Sequence, residues 1–383
     1  MPDVPQVRIL APKLMSKELS RRLFLGGSVA AGATLALAAC APGSTTGGRG
    51  TGSLNLYTWG TYDDPEVLTD FTSETGGPTV ALDSYGSNEE MIAKLATAKG
   101  TSGYDLVVPT LGYVPQMIEL DLLEKLDHSK LPNMKNLDSN YTGTKFDENN
   151  DYSIPKAWGS AGYAYDTTVV TTPMTTWDDF WRVAQNEASG SFSLLDDPNE
   201  IFWAYAFWKG IDPATNDEAD LAGFQDFIVN TMATHIQAFE SYPSGTITQN
   251  GRILAHAWNG DARQGIIENP DQSRYVYVQP TEGGALFQDN WSIVKGSANV
   301  DAAHDFINYV LDPAVSLKEC IFIGYNTCVT GIEEAATEGG DFEFPEYVFF
   351  TEDQIKGLVF DEVVESQEER VSIYNELKAS AGQ

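Results

Sequence analysis

The chain has 383 residues, 42% hydrophobic and 11% aromatic, enough to build real cores and too much for a disordered chain. At about 150 residues per domain, that length predicts two or three domains. Lys and Arg total 23 against 55 Asp and Glu, a net charge of −32, which argues against any nucleic-acid partner. The acidity fits either a solvated surface or the attraction of cationic ligands, and composition does not separate the two.

The first residues read as an address. Ser20-Arg21-Arg22 precede a short apolar run, rich in Gly and Ala, from Leu23 to Ala39. Adjacent arginines before such a run resemble a twin-arginine export signal. The ending Leu37-Ala38-Ala39-Cys40 resembles a lipobox, in which cleavage makes Cys40 the first residue and its thiol takes a diacylglycerol. The run is shorter than the roughly 20 residues a membrane-spanning helix needs. Residues 1–39 are therefore expected to be a signal peptide. Residues 40–53, rich in Gly, Ser and Thr, are expected to be a flexible tether between lipid and folded body. Cys320 and Cys328 are either a disulfide, which an extracytoplasmic location permits, or two small buried hydrophobes.

From residue 54 onward strands and helices alternate. Leu54 to Trp59 has strand alternation, and Pro65 opens an amphipathic helix closed near Gly76. A second strand is predicted over Thr79 to Leu82 and a helix from Ser87 to Leu95. Tyr104 to Pro109 is a continuous apolar run, as a buried parallel strand would be. Val114 to Leu122 is the next predicted helix. A second unit begins near Gly159, with a strand over Ser191 to Leu195 and an aromatic helix over Ile201 to Trp208. A helix is predicted over 224–237, with strands over Arg252 to Trp258, Tyr275 to Val278 and Trp291 to Val294. Ala302 to Leu311 is a predicted helix ended by Asp312-Pro313, and the last helix covers Glu369 to Lys378. This alternation predicts an α/β protein with parallel sheets.

Several chemistries are missing from the sequence. It has no phosphate-binding G-x-x-x-x-G-K-[ST] loop and no G-x-S-x-G nucleophile elbow. His128, His235, His256 and His304 lie far apart, outside any metal-ligand spacing. A metal or nucleophilic enzyme is disfavoured, while a pair of carboxylates acting as acid and base stays open.

Several stretches resemble the substrate-binding proteins of polyamine ABC transporters, the spermidine/putrescine-binding family. They include LYTWGTYDDPEVLTDFTSETG, SYGSNEEMIAKLATAKGTSGYDLVVPT, YVPQMIELDLLEKLDHSKLPNMKNLD, NDYSIPKAWGSAGYAY, LLDDPNEIF, AWNGDARQG, PTEGGALFQDNWSI and IGYNT. The resemblance covers most of 54–330 and weakens between 331 and 365. It implies an α/β, two-lobe periplasmic-binding-protein fold, type II-like, with the ligand cleft between lobes. The expected lobes are 54–158 with 289–335, and 159–288 with 336–383.

A polyamine is an alkyl chain carrying ammonium groups. Its burial needs carboxylates for the cations and flat apolar walls for the methylenes, and aromatic faces serve both. The resemblance implies ligand-facing aromatics at Trp59 and Tyr62. Thr61 stands where the family often has an acid, and Gly112 where spermidine-type members often have an aromatic. Thr110 matches a ligand-contacting Ser. Asp197 and Glu200 match carboxylates for one amine, although Asp197-Pro198-Asn199-Glu200 also reads as a helix-capping pattern. Ser241 matches a hydroxyl at the cleft and Trp258 a ring that stacks on the methylenes. Asp261 matches an acid of putrescine-type members. Phe287 matches a pocket aromatic, Asp289 the acid for the other amine, and Tyr325 a pocket wall. Core packing for the rings and solvent exposure for Asp261 and Asp289 are the plainer alternatives.

The resemblance further implies ligand-driven lobe closure and docking on the permease of an ABC importer. It implies a monomer with a lipid-anchored N-terminus and neither a catalytic role nor a cofactor or metal. The alternatives are the same fold with another small solute, or an extracellular carboxylate-pair hydrolase.

Overall fold

The structure is a computed structural model that describes residues 52–383 apart from 99, 101 and 341. The twin-arginine segment, Cys40 and the tether up to residue 51 lie outside the described residues. Among the described residues, no helix is long and apolar enough to cross a membrane.

The described residues form eleven strands: β1 (Leu54–Trp59), β2 (Val80–Tyr85), β3 (Leu106–Val107), β4 (Ile154–Asp166), β5 (Phe192–Leu195), β6 (Ile236–Glu240), β7 (Leu254–Trp258), β8 (Tyr275–Val278), β9 (Gly284–Ile293), β10 (Asn326–Thr327) and β11 (Leu358–Phe360). Their main path runs β2-β1-β3-β9-β4-β7-β5-β6. β1 is parallel to β2 and β3, and β5 is parallel to β6 and β7, as the alternation predicted.

The two parallel groups meet at β4. All of its residues are buried. Its first half, Ile154 to Ser160, pairs antiparallel with β9; its second half pairs with β7 from Ala161 and with β8 from Tyr163. A strand buried on both faces reads as unbroken small and aromatic residues rather than as an alternation.

Each parallel group has its own core. One gathers Phe180, Trp181, Phe192 and Phe202 from helices Trp177–Gln185 and Pro198–Lys209 and from β5. Another gathers Leu56, Phe71, Trp291, Phe306 and Ile323, with Phe342 and Val348 packed into it. A third lies under the seam and includes Tyr141, Trp158, Ala255 and Phe350.

Several expectations need correction. The helix predicted over 224–237 is helix Glu218–Gln225, a π-turn over Asp226–Met232, a 3-10 turn and then β6. Ladder bonds to β5 take the backbone from Ile236 onward, so sheet pairing overrides helical periodicity. Asp312-Pro313 begins a helix rather than only ending one. Asp312 caps Pro313–Ile323 by accepting from the Ala314 amide at 2.9 Å, with Pro at the first position. The strand expected from Trp291 starts at Gly284. Cys320 and Cys328 are free, buried thiols rather than a disulfide. Cys320 packs into the core that holds Ile323 and Cys328 into the seam core, so the two thiols belong to different clusters.

Candidate functional site

The carboxyl ends of the parallel strands carry the site. Trp59 closes β1, Thr110 follows β3, Asp197 follows β5 and Trp258 closes β7.

On the first group, the Trp59 indole donates to the Val108 carbonyl at 3.1 Å, and its ring meets Tyr85 edge-on at 4.7 Å. Tyr62 is buried. Its ring lies 5.9 Å from that of Tyr325, which lies 5.5 Å from Phe287, so the three rings form a row. Thr61 is exposed at φ +60° and stands outside this row.

Thr110 bridges to Asp289 through the backbone, and its hydroxyl donates to Asp289 Oδ1 at 2.8 Å. Asn88 fixes that hydroxyl by donating to it at 3.0 Å, and accepts from the Thr110 amide at 3.1 Å. Asp289 is 5% exposed. Burial pushes its carboxyl up to about 6, opposed by Thr110, Tyr62 and Lys156. The Tyr62 hydroxyl lies near enough to act on Asp289, yet falls short of full hydrogen-bond geometry.

On the second group, Asp197 caps helix Pro198–Lys209, accepting from the amides of Asn199 at 2.8 Å and Glu200 at 3.1 Å. The capping reading is therefore right for Asp197, but the reciprocal half is missing. Glu200 instead accepts from the Trp258 indole at 2.9 Å. Burial pushes Asp197 up to about 6, opposed by the two amides. Burial, then Asp197, pushes Glu200 well above the ordinary carboxylate range. Asp261, in helix Asn259–Glu268, accepts from the Tyr325 hydroxyl at 3.1 Å, and burial pushes it up to about 6. Ser241 is exposed, with its hydroxyl 3.5 Å from Asp196 rather than on the Asp197–Glu200–Trp258 group.

Three residues join the site that sequence reasoning did not place there. Asp361 follows β11, and its amide donates to the Leu286 carbonyl at 2.9 Å. Burial pushes its carboxyl well up, reinforced by Asp197 and then Asp289, with Arg370 opposing. It therefore feels carboxylates of both strand groups. Tyr113 donates to Glu89 at 2.7 Å and is pushed up by burial, then by Glu89, Asp361 and Asp197. The stretch around Asp361 is where the family resemblance fades, so no motif marked it. Glu89 sits inside a matched stretch but reads as an ordinary first-turn helix acid.

The nearby cation is already committed. Lys156 Nζ lies 2.9 Å from Asp63 and 3.4 Å from Glu319, all three side chains being buried. It also stands 4.9 Å from the Tyr62 ring centre and 4.2 Å from that of Trp291. Two acids surround that one base and Arg370 is the cation that acts on Asp361, so the carboxylates of Asp197, Glu200, Asp261 and Asp289 are left in excess. Buried charge of one sign without a counter-charge is costly, and a cation among these acids removes the cost.

The profile of the bacterial extracellular solute-binding family matches residues 66–342. The chain belongs to that family. The solute-binding protein is 34% identical over 313 residues to the spermidine/putrescine-binding periplasmic protein of Escherichia coli, covering 81% of this chain and 84% of the relative. It is 30% identical over 277 residues to the putrescine-binding periplasmic protein PotF of the same species, covering 69% and 74%. Among solved structures, the spermidine/putrescine ABC transporter substrate-binding protein PotD of Streptococcus pneumoniae superposes with a TM-score of 0.74 at 29% identity, covering 86% of this chain and 99% of that one. The solute-binding protein thus has the two-lobe periplasmic-binding-protein fold with a cleft between lobes. In that fold β4 and β9 are strands shared across the seam.

Proposed function

We propose that this solute-binding protein captures a polyamine, putrescine or spermidine, and delivers it to the permease of an ABC importer. The observation that carries the reading is the surplus of buried (Glu200, Asp289) and half-buried (Asp197, Asp261) carboxylates beside an aromatic row, with the neighbouring Lys156 already paired twice. The relatives in Escherichia coli, a spermidine/putrescine-binding and a putrescine-binding protein, point to the same solutes.

The ligand set is Trp59, Tyr62, Thr110, Asp197, Glu200, Trp258, Asp261, Phe287, Asp289 and Tyr325, joined by Asp361. Thr61 and Ser241 border the mouth. The lobes are 54–158 with 289–335 and 159–288 with 336–383, the stretch 342–350 reaching back onto the first core. The protein binds as a monomer and catalyses nothing. Twin-arginine export and a lipid on Cys40 hold it outside the cell membrane.

Titration calorimetry against putrescine, spermidine, spermine and glutamate tests the site. A diamine or triamine binding and glutamate failing is the expected result; glutamate winning, or substrate cleavage, overturns it. Cys40→Ser tests the anchor: the variant is expected in the soluble fraction, and retention on membranes defeats the lipobox reading.

A further inference from the structure

We propose that Tyr242 is a latch whose ring spans the mouth of the cleft and lengthens the stay of bound solute. The inference rests on the reading of a cleft that closes on its solute.

Tyr242 lies in the turn between β6 and helix Pro243–Thr248, on the strand group that carries Asp197 and Trp258. At 61% exposure it is the most exposed large apolar side chain among the described residues. Such exposure by itself is ordinary. What the ring touches is not. A β-carbon placed on Gly60 would lie 3.1 Å from the Tyr242 hydroxyl oxygen and 3.8 Å from the ring carbon that bears it. Gly60 belongs to the other strand group, in the turn after β1. The ring therefore reaches from one side of the cleft to the other.

The backbone is restrained at both ends of this contact. Tyr242 precedes Pro243, which restricts its backbone; it sits at φ −140° and ψ 76°. On the far side, Gly60 stands between Trp59, bonded to the Val108 carbonyl, and buried Tyr62. A hydrogen at Gly60 leaves room for the phenol; a methyl there would make the hydroxyl give by a few tenths of an ångström, and a branched side chain would displace it. A contact made only while the halves are together must break before solute leaves, so it acts on dissociation more than on association.

The test is a double-mutant cycle on Tyr242→Ala and Gly60→Val, read by spermidine dissociation in stopped flow. Each single variant is expected to release spermidine about three- to tenfold faster, with association within about twofold of the parent. Gly60→Val should add nothing once Tyr242 is Ala, because the two residues share one contact. Unchanged dissociation in Tyr242→Ala, or fully additive effects, overturns the latch. The closed arrangement is also visited without solute, so amide exchange at residues 60–62 in the solute-free protein reads the same contact without any amine. Faster exchange in Tyr242→Ala supports the latch even if no polyamine binds, an outcome that defeats only the solute assignment. Unchanged exchange counts against the latch itself.

Discussion

The Asp361 carbonyl oxygen lies 2.7 Å from where a β-carbon on Gly112 would stand, and the Glu362 Cα lies 3.0 Å from it. The backbone after β11 therefore fills the space that a side chain at position 112 would need. The segment that stands there carries the Asp361 carboxylate.

Removing that charge should move stability and binding in opposite directions. Asp361→Asn relieves its repulsion with Asp197 and Asp289, so the solute-free protein should melt higher. The same change should weaken spermidine by about tenfold or more, as loss of a charged partner to a buried ammonium does. Calorimetric melting and titration on one preparation check both. Gly112→Tyr should destabilise by about 1–3 kcal/mol, since the backbone of 361–362 has to give way.

Asp289 offers the sharpest single test. Asp289→Asn keeps the size and removes the charge, leaving an ammonium unpaired among aromatic rings. The expected cost is about 2–5 kcal/mol, or about thirty- to several-thousand-fold in affinity. A change below about threefold in titration calorimetry would remove Asp289 from the site.

Asp197 caps a helix and belongs to the proposed ligand set, and substitutions separate the two roles. Asn caps helices as well as Asp, so Asp197→Asn should leave the melting temperature nearly unchanged while polyamine affinity falls. Asp197→Ala should lose affinity and, in addition, about 0.5–2 kcal/mol of stability. Equal melting of the two variants would mean that the bonds to the Asn199 and Glu200 amides contribute little.

Proton linkage gives a prediction with two signs. Burial raises Asp197, Asp261 and Asp289 to about 6. Their unfolded values are lower, so between the two the folded chain binds more protons than the unfolded one, and these groups favour the solute-free fold increasingly as pH falls from about 7 to about 4. Polyamine binding needs the carboxylates ionised, so affinity should fall over the same range. Melting with and without spermidine at about pH 7.5 and about pH 5 reads both. A polyamine-induced rise in melting temperature that is equal at the two pH values would contradict the linkage.

The sequence by itself determined the local elements and named the rings and acids of the candidate site. Asp64 and Gly76 bracket helix Pro65–Thr75 as capping residues do, and Asp197-Pro198 starts the aromatic helix where that pair should. These signals work because caps and periodicity act over a few residues. Whether Glu200 completes a capping box or accepts from Trp258, 58 residues away, depends on β7 lying beside β5. Asp361 enters the site only because β11 pairs with β9, placing Phe360 beside Leu286. Tyr242 meets Gly60 only once two separate strand groups have been joined by β4 and β9. Tertiary structure decided these because each is a pairing between distant segments. Its free energy comes from sheet ladders and shared burial, which no local pattern of residues encodes.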